Sequence, residues 1–146
     1  MYIGFLHLHN TLRWLLLLSL LVTLIKYTMG WFGNQPWKKI DRILGLVFIW
    51  LMDIQLFTGL ALYFFISPIT KMALANFGAA MKDDTLRFYA VEHITIMVIA
   101  VILVHIGWEK SKKARTDIAK FKLLSVFFLI ALMMLIAAIP WSRLAN

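Results

Sequence analysis

The sequence predicts an all-α integral membrane protein: a four-helix up-and-down bundle with a short interfacial helix between its second and third helices. Three observations carry that reading. Of 146 residues, 62% are hydrophobic and the mean hydropathy is +0.84, against roughly 45–50% apolar residues in a soluble domain. Four apolar stretches, at about residues 5–28, 43–66, 86–108 and 117–139, each reach the ~20 residues a helix needs to cross a hydrocarbon core. The basic residues gather in two of the loops between them, which is how membrane orientation is encoded.

The first span carries HLHNTLRW at its entrance and LLLLSLLVTLI behind it. It is too long for a signal peptide, and no small-residue cleavage site follows before Lys26. From Lys26 to Arg42, Gly30, Gly33, Asn34 and Pro36 break helix and Trp31 and Trp37 are interfacial aromatics, so this segment reads as a loop. The second span is interrupted near its middle by Asp53 and Gln55 and stops at Ser67-Pro68, a pair that also starts a new helix. Pro68 to about Ala80 is too short to span and reads as a helix lying flat, with Ile69, Met72, Ala73 and Phe77 toward lipid or protein. Asp83, Asp84 and Thr85 offer an N-cap for the third span, and Asp117 offers one for the fourth, which ends at Pro140-Trp141. With no internal repeat, low-complexity tract or soluble domain in view, residues 1–146 read as a single transmembrane domain.

Ten Lys and Arg (Lys26, Lys38, Lys39, Arg42, Lys110, Lys112, Lys113, Arg115, Lys120 and Lys122) fall on one side, and five (Arg13, Lys71, Lys82, Arg87 and Arg143) on the other. The ten-residue side is expected in the cytoplasm, with both termini outside. In a bacterial inner membrane this sets His7, His9 and His93 toward the periplasm and His105 toward the cytoplasm. The net charge of +8 is thereby read as topology, and nucleic acid is not an expected partner; the lipid bilayer is. Without cysteine, disulfides, thiolate metal sites and covalently attached c-type haem are excluded. No Gly-rich phosphate loop, Ser-His-Asp ordering or H-E-x-x-H motif points to hydrolysis or phosphoryl transfer.

Ionisable groups inside apolar spans are costly and mark candidate sites. His93 lies roughly two turns inside its span and His9 about one turn inside the first, so the two share a leaflet. Two histidines at like depth on different helices suit bis-imidazole ligation of a b-type haem, with Arg13, one turn from His9, as partner for a propionate or for Glu92. The alternatives are packing, proton handling or a partner contact. His7 lies on the opposite face and is the weaker candidate. His105, twelve residues after His93, is ~18 Å further along and ~120° round the helix, and has no second histidine at its depth. At most one bis-histidine haem can be built, and His105 reads as an interfacial residue beside the basic loop. Glu92 reads as a charge partner of Arg13 or Arg87, or as a proton-transfer group. Asp53, with Gln55, is either a relay for protons or ions or a polar clasp to a neighbouring helix or subunit; Gly59 on that face leaves room for close approach and favours the clasp. The Met residues, Met97, Met133 and Met134, read as packing.

The segments HLHNTLRW, DIQLFTGLALYF, MKDDTLRFYAVEH and AAIPW together resemble a family of small bacterial four-helix membrane proteins labelled cytochrome b-like, over most of the chain. The resemblance implies a helical bundle that holds b-type haem and passes electrons in the membrane, with His9 and His93 at the ligand positions. It also implies a histidine where this chain has Asp53, a departure from the pattern.

Three functional classes follow. The first is a haem b electron carrier or quinone-linked redox subunit using His9, His93 and Arg13. The second is a non-catalytic accessory subunit of a larger membrane complex, docking through its mid-membrane polar residues. The third is a small proton-coupled transporter or channel built on Asp53 and Glu92, as a homo-oligomer. An electron carrier or accessory subunit fits the residues better than a stand-alone enzyme.

Overall fold

The computed structural model describes residues 1–141; Arg143, counted above for orientation, lies outside them. Four helices are long and apolar enough to cross a membrane, so the chain is a multi-pass membrane protein of all-α architecture. The first, α1, spans Tyr2–Phe32. The second is α2, Lys39–Ala61, continued through one widened π turn, Leu62–Ile66. The third begins with the short α5, Asp84–Arg87, passes through a second π turn, Phe88–Glu92, and continues as α6, His93–Lys112. The fourth is α7, Asp117–Ala137. Between the second and third lie α3, Pro68–Ala75, and α4, Phe77–Ala80.

The local starts and stops are those of side chains competing for free backbone groups. Ser67 caps α3 by accepting from the Thr70 amide, with Pro68 in the first turn where its missing N–H costs nothing. Asp83 caps α5 through the Leu86 amide at 2.8 Å. Two expectations are corrected. The interfacial helix does not run unbroken from Pro68 to Ala80, because Asn76 leaves the helical conformation and its side chain caps the next turn through Ala79 N. The cap of α7 is Thr116 rather than Asp117: the Thr116 hydroxyl accepts from Ala119 N, while the Asp117 carboxylate accepts from Trp37 N at 2.9 Å and ties the two basic loops together.

The expected loop from Lys26 is also shorter, since α1 continues to Phe32. Gly30 is inside the helix for a packing reason. A Cβ there would stand 2.6 Å from Cζ of Phe121, so only glycine admits that ring against the α1 backbone. Where the chain does turn, Asp41 organises it: wholly buried, it caps the start of α2 through Lys38 N at 2.7 Å and meets Lys26 Nζ at 3.3 Å.

The four long helices close into a ring in which α1 packs on α2 and α7, and α6 packs on α7 and α2. Inside lie Leu16, Leu20 and Tyr27 of α1, Phe48 and Met52 of α2, Ala100 and Val104 of α6, and Phe121, Leu124 and Phe128 of α7. Large apolar side chains also point outward, among them Leu18, Trp50, Phe57 and Met133, as expected where the solvent is hydrocarbon. The end bearing the basic loops is packed solid with rings: Trp37–Phe121 at 4.9 Å, Tyr27–Trp37 at 5.4 Å and Phe48–Phe128 at 4.8 Å. The opposite end is open.

Replacing Gly30 by Ala forces Phe121 out of its slot and is expected to cost about 1–3 kcal/mol. Reversible unfolding in mixed micelles reads this directly, and unchanged stability would show that the ring has room to move.

Candidate functional site

The open end of the bundle is where the chain's histidines converge. His9 of α1 is gripped by one face of α2. The Gln55 amide nitrogen donates to the His9 carbonyl at 3.0 Å and stands 3.3 Å from the ring Nε2. Thr58 Oγ1 lies 3.3 Å from ring Nδ1 while donating its own proton to the Gln55 carbonyl at 2.9 Å. An amide N–H can only meet a lone pair, and a hydroxyl that has spent its proton can only accept. Those two partners therefore assign His9 the Nδ1–H tautomer, with a basic Nε2. Gly59 completes the cradle: a Cβ there would sit 3.1 Å from His9 Cε1.

His93 opens α6 directly after the second π turn. Its Nδ1 is 2.9 Å from the carbonyl of Ala138, an acceptor, so this ring too carries its proton on Nδ1 and presents a free Nε2. The His9 and His93 rings stand 6.3 Å apart between centroids, at 70°. The two π turns, a feature frequent at functional sites, flank them. A widened turn leaves carbonyls without helical partners, and side chains fill in: Tyr63 OH donates to Ala90 O and Thr70 Oγ1 to Tyr63 O, both at 2.8 Å. These bonds fasten α3 and the second π turn to the end of α2.

His9 and His93 line three cavities together. The largest, about 320 Å³, lies toward the chain's N-terminal end and is bounded by Tyr2, Asn10, Arg13, Gly59, Tyr63, Thr70, Tyr89 and Pro140. A second of about 50 Å³ runs toward the core, between Leu16, Met52, Leu56, Met97 and Val101. One side of the histidine pair is thus polar and the other apolar.

Arg13 faces the polar side. It donates to Asn10 Oδ1 at 3.3 Å and lies 5.2 Å from the Trp14 ring, and its buried Nε has no partner among the described residues. Arg13 does not pair with Glu92. The Glu92 carboxylate accepts from Arg87 Nε at 2.8 Å, and Arg87 also holds Asp84. Compared with known proteins, the chain matches no family model, no curated protein and no solved structure.

Asp53 and Gln55 do not act together. Two residues apart on a helix they diverge by ~200°: Gln55 points inward to His9, and Asp53 points to the outer surface, where its Oδ1 meets His105 Nε2 at 2.8 Å. His105 is therefore joined to α2 instead of standing alone beside the basic loop. Neither Asp53, Glu92 nor His105 lines the cavities around His9 and His93, and His7 is exposed. The sequence reading missed Thr58, Tyr63, Thr70 and Tyr89. Hydroxyl side chains in an apolar run carry no signal until the helix facing them is known. Among the described residues no group of three or more His, Cys, Asp or Glu gathers to hold a bare metal ion.

Gln55→Leu keeps the volume and removes the amide. It should lower stability in micelles by roughly 0.5–2 kcal/mol, the range of polar contacts between membrane helices. The same change at the outward-facing Ile54 should be neutral, and equal losses at both positions would argue against the His9 clasp.

Proposed function

We propose that the chain is a b-type haem-binding membrane electron-transfer protein or redox subunit, akin to the cytochrome b-like proteins that its sequence resembles. The observation that carries this reading is the approach of His9 and His93 from α1 and α6, each with a proton-free Nε2; that of His9 accepts from the Gln55 amide and would exchange that bond for iron. Their ring centres stand 6.3 Å apart, close enough for one group to be held by both. Haem needs only two protein ligands, so the lack of a larger metal-ligating cluster among the described residues is no obstacle.

The residues present fit such a group on four further counts. Thr58 and the Ala138 carbonyl take the Nδ1 protons, which orients each ring. Gly59 leaves the backbone of α2 bare beside His9. Arg13, with a buried and unpartnered Nε, supplies a cation on the polar side for propionate. Leu16, Met52, Met97 and Val101 keep water from the opposite side. When bound, haem b supplies a one-electron couple. The chain's part would be to hold the group through His9 and His93 and to keep its site in a low dielectric, levers that set its potential.

Its exchange partner is then a membrane quinone or a redox protein, and the positive-inside pattern favours a bacterial inner membrane with both termini in the periplasm. No observation favours the proton-coupled transporter: neither Asp53 nor Glu92 lines the cavities around His9 and His93. An accessory subunit without haem is the remaining reading, and the same experiment separates the two.

The protein purified from membranes of haem-sufficient cells should show a Soret band and a reduced alpha band, with about one haem per chain by pyridine haemochrome. His93→Ala and His9→Ala should each abolish or shift those bands, and His7→Ala should leave them unchanged. A folded, colourless wild type that also fails to take up added haem overturns the proposal. A spectrum indifferent to His93→Ala overturns the ligand assignment.

A further inference from the structure

A second polar pair lies on the outside of the bundle, away from the histidine site. Asp53 of α2 and His105 of α6 meet at 2.8 Å with their side chains 27% and 46% exposed. The neighbours on the same two helix faces are Trp50, Ile54 and Phe57 of α2 and Ile102 and Ile106 of α6, all exposed and apolar. The pair thus interrupts a belt that would otherwise meet only acyl chains. Within the chain it uses half of its capacity: among the described residues the second carboxylate oxygen of Asp53 and Nδ1 of His105 make no hydrogen bond. In hydrocarbon no water can fill those valences, and an unfilled one is costly.

We propose that this face of α2 and α6 is an interface through which two copies of the chain associate in the membrane about a two-fold axis. An acid beside a base is self-complementary under a two-fold rotation. Nδ1–H of His105 in one copy donates to Oδ2 of Asp53 in the other, and the reciprocal bond forms by symmetry. With the bond inside each chain already made, these two reciprocal bonds give every ring nitrogen and carboxylate oxygen of the four groups a partner. A foreign helix would have to bring a donor and an acceptor at the same spacing, whereas a second copy brings them by construction. The apolar belt cannot drive this by itself, since lipid tails are as apolar as its isoleucines. The polar pair supplies both the driving force and the register, and Trp50 and Phe57 pack around it. The inference is independent of whether haem is bound.

The chain contains no cysteine, so single cysteines report contacts without background. Ile54→Cys and Ile102→Cys, in an otherwise native chain in dilute proteoliposomes, should form disulfide-linked dimers under mild oxidation. Leu18→Cys of α1 and Met133→Cys of α7, more exposed and on other faces, should not. Adding Asp53→Leu with His105→Leu removes both members of the pair and leaves no orphan. It should raise the dimer dissociation constant about tenfold or more, with helicity and melting of the monomer retained. Equal cross-linking at all four positions, a single-step photobleaching distribution for the native protein, or dimers indifferent to the double substitution would each overturn the proposal. The comparison among faces decides the matter even if the double variant folds poorly.

Discussion

A polar atom inside a bilayer must find its partner within protein, and this constraint explains most of what joins these helices. Apolar contact alone gives membrane helices little reason to prefer one neighbour over lipid. The bonds that select neighbours here are few and specific: Gln55 and Thr58 of α2 on His9 of α1, His93 of α6 on the carbonyl of Ala138, and Asp53 of α2 with His105 of α6. Each crosses between elements that the apolar pattern by itself would leave interchangeable. The core residues then determine how closely the helices approach, as Gly30 and Phe121 do between α1 and α7.

The two ends of the bundle divide the work. At the end with the basic loops, Tyr27, Trp37, Phe48, Phe121 and Phe128 fill the interior, while Lys120 and Lys122 lie over Trp37 and Trp31. At the other end Gly59, Ala90 and Ala138 are among the interior residues, two helices widen into π turns, and cavities surround His9 and His93. Rigidity at one end and room at the other are what a site in a small bundle needs, because its ligands must be held by helices that are themselves held elsewhere. The π turns add to this. By shifting a helix's register within one turn they set His93 on the interior face, and the carbonyls they free are taken up by Tyr63 and Thr70.

Some of the site was legible from residue spacing. His9 and His93 were matched by depth alone, because rise per residue converts sequence position into position across the membrane, and the structure brings the two rings together. Depth carries no information about angle, and there the reading was weakest. Asp53 and Gln55 looked like one anomaly but face opposite ways. Glu92 turned to Arg87 and left Arg13 to the cavity. His105 gained a partner from a helix fifty residues earlier in the chain.

The amino-acid sequence by itself determined the all-α class, four membrane-spanning helices, the start of α3 at Ser67-Pro68 and the segregation of charge between the two ends. These depend on local composition, on propensity and on the length of apolar runs, each readable within a window of some twenty residues. The tertiary structure alone decided which polar residues meet, that α1 runs through Gly30, and that a cavity opens beside the histidines. Those outcomes depend on helix rotation and on the π turns, which are set by contacts between residues far apart in the chain, and no local pattern encodes them.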